Sequence, residues 1–62
     1  MTKIRAIRKA RHMNGKTLAR LTGLSLMSIY RYETGERVPK LDDAVKIARA
    51  LGVRVEDLID RK

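Results

Sequence analysis

The chain has 62 residues, and its 15 Lys and Arg against 7 Asp and Glu give a formal charge of +8 at pH 7. This length predicts a single domain over residues 1–62, which buries about 60% of its unfolded surface. Without cysteine the chain can form no disulfide and no thiolate metal site. No apolar run approaches the roughly 18 residues of a membrane span, and no apolar segment follows the basic N-terminus as in a secretory signal. These features favour a cytoplasmic protein.

The net positive charge lies in the first half of the sequence. Residues 1–31 contain eight Lys and Arg and no acid, whereas residues 32–62 contain seven cations and seven acids. A one-sided excess of this kind is typical of proteins that bind a polyanion. Nucleic acid is the first candidate and an anionic membrane the second, and a solvated surface without a ligand is the alternative.

The helical spacing of apolar residues predicts two helices in the first part of the basic half. Helix one covers about residues 3–11, with Thr2 as a possible N-cap. Helix two covers about residues 15–22, and Asn14 is its natural N-cap because an Asn side chain can accept a backbone N–H. Gly15 is a poor helix former, so we expect that end to fray. The residues predicted to face the core are Ile4, Ile7, Ala10, Leu18, Ala19 and Leu21.

A third helix, about residues 26–33, follows the second after only three residues. Gly23 suits the left-handed conformation that ends a helix, and Ser25 is the expected N-cap of the third helix. Two short helices on such a turn must cross steeply, which predicts a helix-turn-helix over about residues 15–34. Another kind of small α-hairpin is the alternative. The packing positions of the motif are Ala19, Gly23 and Ile29.

The second half of the chain predicts two more helices. Helix four covers about residues 41–51, after Pro39, and ends at Gly52. Its first turn carries two acids, where the helix dipole favours anions. A short fifth helix covers about residues 55–59. The apolar face of helix four is expected to consist of Leu41, Ala44, Ile47, Ala48 and Leu51.

The chain contains three residue patterns, and the resemblance that they carry extends over residues 4–59 without a gap in the alignment. They are Ile4-x3-Arg8, Leu18-Ala19-x3-Gly23-x-Ser25-x3-Ile29-x3-Glu33-x-Gly35-x3-Pro39 and Ile47-Ala48-x2-Leu51-Gly52-Val53-x4-Leu58. Together they resemble the Cro/CI (XRE-type) helix-turn-helix regulators of phages and bacteria. The resemblance implies a compact, all-α, lambda-repressor-like domain of five helices, whose third helix enters the major groove of DNA.

The resemblance also implies which residues of the third helix read bases. Arg31 can contact O6 and N7 of a guanine, which is worth about 1–3 kcal/mol of discrimination, or it can bind a phosphate. Met27 is expected to contact thymine methyl groups, whereas Leu26 does so or packs in the core. The remaining polar members can each donate one hydrogen bond to a base or a phosphate. The predicted base-reading set is Leu26, Met27, Ser28, Tyr30 and Arg31.

Phosphate contacts are expected from the amides that begin helix two, where the helix dipole attracts anions, and from the loop after helix three. The family commonly has Gln where this chain has Gly15, and that Gln bridges a phosphate to the recognition helix. Lys16 or Arg20 would replace the bridge by charge. The predicted phosphate-binding residues are Gly15, Lys16, Arg20, Ser25, Thr34, Arg37 and Lys40.

Glu33 would repel DNA, and the resemblance gives it a structural role instead, as the partner of Arg8 in helix one. Removal of one partner of such a buried pair costs about 3–5 kcal/mol. His12 has no second ligand nearby in the sequence, so neither a metal nor a cofactor is expected. The other cations of helix one are expected to form a solvated face: Lys3, Arg5, Lys9 and Arg11.

These features predict a sequence-specific regulator of transcription that binds double-stranded DNA, a repressor rather than an activator, with no enzymatic activity. One module of this size buries roughly 600–1,000 Å² on DNA, so we expect a homodimer on a palindromic operator with half-sites about 10 base pairs apart. Alternatives are an antitoxin that also binds a toxin, the DNA-binding part of a longer regulator, and a sequence-indifferent binder of RNA or anionic lipid. The expected dimer surface is Val55, Leu58 and Ile59.

Overall fold

The computed structural model describes residues 3–59. In chain order the helices are α1 (Ile4–Ala10), α2 (Gly15–Thr22), α3 (Leu26–Thr34) and α4 (Leu41–Leu51), followed by a 3-10 turn (Val55–Leu58). Four predicted helices are confirmed. The fifth is not confirmed as a full helix: Val55–Leu58 form a single 3-10 turn, in which the Asp57 N–H bonds to the Arg54 carbonyl at 3.0 Å. Thr2, the expected N-cap of helix one, lies outside the described residues.

The ends of α2 and α3 have the caps that the sequence predicts. Asn14 Oδ1 accepts the Thr17 N–H at 2.8 Å, and Ser25 Oγ accepts the Ser28 N–H at 3.0 Å. Between the two helices Gly23 has φ +75°, which only glycine adopts at little cost, and its N–H bonds to the carbonyl of Ala19 at 2.9 Å. The chain therefore turns sharply from α2 into α3.

The core lies where α2 crosses α3 and packs against α4. Ala19 is small enough for the close approach of α2, and Ile29 from α3 fills the angle between the helices. Every helix contributes to this core, as does the 3-10 turn. Its buried apolar members are Ile4, Leu18, Ala19, Ile29, Tyr32, Ile47, Ala48, Leu51 and Leu58.

Three residues predicted to face the core are exposed instead. Leu41 is 72% exposed because the buried stripe of α4 begins one turn later, at Ala44. Leu21 is 58% exposed, and the adjacent Thr22 is buried. The Thr22 hydroxyl can be buried because it donates to the carbonyls of Leu18 and Ala19, at 2.9 and 3.1 Å. The third exposed residue is Ala10.

Polar contacts between elements fix their relative positions. The Tyr32 hydroxyl of α3 donates to Asp43 Oδ2 in the first turn of α4, at 2.5 Å. Arg11 Nε donates to the Leu51 carbonyl at the C-terminal end of α4, so Arg11 caps a helix and is not simply part of a solvated face. Among residues 3–59, no helix has the length and apolar character needed to cross a membrane.

Candidate nucleic-acid interface

The outer face of α3 is the centre of the candidate interface. Ile29 and Tyr32 are buried on the inner face, so the residues at the opposite positions of the helix are left exposed. Ser28 is half-buried near the amino end of the helix. The exposed stripe of α3, which is used under that name below, consists of Met27, Tyr30, Arg31 and Thr34.

Leu26 and Tyr30 lie against the amino end of α2. A Cβ atom on Gly15 would lie 3.0 Å from Tyr30 Cε1, 3.1 Å from Tyr30 Oη and 3.1 Å from Leu26 Cδ1. Gly15 is therefore packed beneath α3 rather than at a frayed helix end. Leu26 is half-buried and packs against the core. Tyr30 occupies space beside the position where the family commonly has Gln.

The amino end of α2 offers backbone amides and cations close to the exposed stripe of α3. The first N–H groups of a helix have no acceptor within it, and Asn14 binds only that of Thr17. The N–H groups of Gly15 and Lys16 are thus left for another partner. The Lys16 and Arg20 side chains are exposed on the same helix.

The two predicted phosphate-binding hydroxyls already make hydrogen bonds within the protein. Ser25 Oγ donates to Ser28 Oγ at 3.0 Å, in addition to its role as a cap. Thr34 Oγ1 donates to the Arg31 carbonyl at 3.2 Å and accepts the Glu36 N–H at 3.4 Å. Thr34 therefore closes the end of α3, while Arg37 and Lys40 are exposed in the loop that follows.

The carboxylate of Glu33 is withdrawn from the interface by Arg8. Arg8 Nε donates to Glu33 Oε2 at 2.6 Å, Nη2 donates to Oε1 at 3.1 Å, and Nη1 donates to the Met13 carbonyl at 2.9 Å. The Glu33 side chain is only 3% exposed. Its hydrogen bond raises the pKa of the Arg8 guanidinium above the usual value. This two-pronged pair joins α1 to α3 and neutralises the first acid of the chain.

A second ion pair, which the sequence did not predict, involves Arg31 of the exposed stripe. Arg31 Nε lies 3.7 Å from Glu36 Oε2, and both side chains are exposed. Glu36 comes directly after Gly35, whose φ of +84° turns the chain back toward α3. The sequence contains one signal for this pair: Glu36 comes directly after the glycine that ends α3.

The expected dimer surface is only partly exposed. Leu58 is 1% exposed and belongs to the core, so its assignment to that surface was wrong; the 3-10 turn directs it inward beneath α4. Ile59 is half-exposed and Val55 half-buried, and both line a groove of about 170 Å³. Val38 and Pro39 of the loop after α3 form the other wall, and Val38 is 84% exposed.

His12 does not form part of a metal site in the region described. It is exposed and has a left-handed φ of +55° at the end of α1. Residues 3–59 contain no group of three His, Cys, Asp or Glu side chains that could hold a metal ion.

Comparison with known proteins gives two matches that cover this interface. A sequence model of the helix-turn-helix family matches residues 4–58, from the start of α1 to the end of the 3-10 turn. The chain is also similar to the cryptic phage CTXphi transcriptional repressor RstR of Vibrio cholerae serotype O1, with 39% identity over 54 residues. That match covers 87% of this chain and 48% of RstR, so the chain spans about half the length of this relative.

Proposed function

Because this chain belongs to the helix-turn-helix family, we propose that it binds double-stranded DNA in a sequence-specific manner and represses transcription. The observation that carries this proposal is the exposed stripe of α3, which packing leaves unused and which borders the amino end of α2. The name of RstR as a transcriptional repressor favours repression over activation. A regulator of this kind acts where bacterial DNA lies, in the cytoplasm.

Electrostatics supports a polyanion as the ligand. The first 31 residues contain cations and no acid, and the next acid, Glu33, is buried against Arg8. A phosphate backbone that approaches α2 therefore meets backbone amides and the exposed cations Lys16 and Arg20. Such contacts supply much of the affinity for DNA and make it fall with salt.

We assign base reading to the half-buried Ser28 and to two members of the exposed stripe of α3, Met27 and Arg31. Met27 contacts thymine methyl groups, Ser28 donates or accepts one hydrogen bond, and Arg31 contacts a guanine edge. Leu26 is not a base reader in this proposal, because it packs against the core beneath Tyr30.

Tyr30 takes the role that Gln has elsewhere in the family. Its hydroxyl lies beside Gly15 at the amino end of α2. A phosphate at this end would accept hydrogen bonds from the backbone N–H groups of Gly15 and Lys16. A hydroxyl there can donate to the same phosphate and so connect it to α3. The other phosphate contacts in this proposal come from Arg20, Ser25, Thr34, Arg37 and Lys40.

We propose that two copies bind a palindromic operator, with half-sites about 10 base pairs apart. The groove between the loop after α3 and the 3-10 turn is the dimer surface, formed by Val38, Val55 and Ile59. It supports this role because apolar side chains are exposed there, next to the loop that carries the predicted phosphate ligand Arg37. The core residue Leu58 supports the groove from below.

Selection of bound duplexes from a random-sequence pool tests the proposed function. We expect an inverted repeat that binds at least about 10³-fold more tightly than a scrambled duplex at the same salt concentration. Repression is then measured with a reporter promoter that overlaps the selected site. Enrichment without a motif, together with binding that collapses as salt is raised, would contradict sequence-specific recognition.

A further inference from the structure

The loop after α3 folds back over Arg31 through backbone contacts. Gly35 reverses the chain direction, and the Arg37 N–H donates to the Arg31 carbonyl at 3.2 Å. Thr34 Oγ1 accepts the Glu36 N–H and donates to the same Arg31 carbonyl. The backbone of Glu36 is therefore held beside the last turn of α3.

This arrangement brings the Glu36 carboxylate to one particular edge of the Arg31 guanidinium. Oε2 lies 3.7 Å from Nε, which is the inner nitrogen of the group. The two Nη atoms form the outer end, and a bidentate contact with guanine O6 and N7 can be made by these two atoms alone.

The geometry points to Glu36 as a positioning residue that sets the DNA specificity of Arg31. This inference rests on the proposed function, in which Arg31 reads a guanine. A carboxylate 3.7 Å from Nε attracts this edge of the guanidinium and leaves its outer end for the base. The same negative charge disfavours a phosphate beside Arg31, so it favours the base contact over the phosphate contact. Glu36 thereby lowers the affinity for DNA of any sequence and raises the discrimination at one base pair.

The test compares the unaltered protein with E36Q, R31A and the double variant on the selected operator. Affinities are measured for that operator and for duplexes with each other base pair at the Arg31 position. R31A should remove discrimination at this position. E36Q should lower it by about two- to fivefold, the range of an exposed ion pair, and should steepen the salt dependence. In the R31A background E36Q should cause no further loss of discrimination.

E56Q is the matched control for this experiment. Glu56 is also exposed, lies 3.8 Å from Arg54 Nη1 on the 3-10 turn, and contributes the same charge as Glu36. E56Q should retain the discrimination of the unaltered protein, because a ratio of two affinities cancels any change common to both duplexes. Both Gln variants should unfold at the same temperature as the unaltered protein, since both carboxylates are exposed.

The outcomes separate this inference from the proposed function. If selection yields no motif, the proposed function fails and the inference fails with it. If a motif exists but E36Q discriminates between base pairs as well as the unaltered protein, only the inference is overturned. The same holds if E56Q loses as much discrimination as E36Q. It is also overturned if R31A relaxes no position of the motif.

Discussion

At the scale of single residues, the Gly15 that stands where the family commonly has Gln is matched by Tyr30 in α3. Any Cβ at position 15 would crowd the Tyr30 ring and the end of Leu26, at 3.0–3.1 Å. A side chain such as Gln therefore could not occupy this position with Tyr30 where it is. The absence of the family's usual bridge and the presence of an aromatic hydroxyl beside α2 are parts of one local arrangement.

Replacement of the Tyr30 hydroxyl tests this arrangement. Tyr30→Phe should weaken operator binding by about 1.5–3 kcal/mol per subunit, the value of a hydrogen bond to a charged group, with little change in the free energy of unfolding. Gly15→Ala should also weaken binding, because its Cβ displaces the ring. Fluorescence titration with the operator measures the affinities.

In the Tyr30→Phe background, Gly15→Ala should cost less affinity than it does alone, since the hydroxyl that it displaces is already absent. Gly15→Ala should leave thermal stability nearly unchanged, because Tyr30 is at the surface and can move while Ala favours the helix. Full operator affinity in Tyr30→Phe would contradict the phosphate role of the hydroxyl.

At the scale of helices, two polar contacts decide how α3 is held. The Arg8–Glu33 pair joins it to α1, and the Tyr32–Asp43 hydrogen bond joins its last turn to the first turn of α4. Both contacts lie on the inner side of α3, away from the exposed stripe. They orient α3 without occupying the exposed stripe, which is the face proposed to read DNA.

Loss of one partner of the Arg8–Glu33 pair should lower the free energy of unfolding far more than loss of both partners. Arg8→Met or Glu33→Leu alone should lower the free energy of unfolding by about 3–5 kcal/mol, because each leaves a buried charge unpaired. That is a large part of the stability of a small domain. The double variant should recover most of the loss, which urea unfolding would measure; equal, additive losses would argue against a coupled pair.

The Tyr32–Asp43 hydrogen bond predicts a loss of stability in alkali. Its donation to Asp43 and its burial raise the pKa of Tyr32 above the usual 10.0. Because the pKa is higher in the folded state, the contribution is complete below pH 10.0 and is lost as the pH rises through the folded-state value. Tyr32→Phe should be less stable at neutral pH and should lose less stability in alkali, as followed by circular dichroism. Equal alkaline losses in the two proteins would contradict this.

At the scale of the whole molecule, the described surface carries the proposed DNA face and an apolar groove. The exposed stripe of α3 and the amino end of α2 form the first. The loop after α3 borders both, because its Glu36 pairs with Arg31 of the exposed stripe and its Arg37 and Val38 line the groove. A dimer through the groove would therefore lie close to the proposed interface with DNA, and its two-fold symmetry would match that of a palindromic operator.

Substitution within the groove tests the proposed dimer. Ile59→Asp should reduce the affinity for the complete palindrome toward that for a single half-site, because a buried, unpaired carboxylate opposes association. The fold should persist, since Ile59 is half-exposed. Sedimentation of the protein with operator gives the stoichiometry. Leu41→Asp is the control, because Leu41 is also exposed but does not line the groove. Two bound copies of Ile59→Asp with unreduced affinity would contradict the proposed surface.

The sequence by itself determined the features that depend on a few neighbouring residues. Asn14 and Ser25 cap the predicted helices, Gly23 has the positive φ of the predicted turn, and α4 has its predicted limits. Caps and turns of this kind are decided by the local backbone and the side chains adjacent to it. Glycines and caps, together with the helical spacing of apolar residues, were therefore sufficient to predict four helices and the helix-turn-helix.

Only the tertiary structure decided which side chains meet across elements. It buried Thr22 and Leu58, exposed Leu21, and placed Arg11 at the end of α4. It also set Tyr30 over Gly15 and Glu36 beside Arg31. These outcomes depend on the angles at which helices cross and on the path of a loop, and one sequence with helical periodicity is compatible with several such angles. Periodicity defines a face of a helix, whereas packing selects the residues of that face that reach the core.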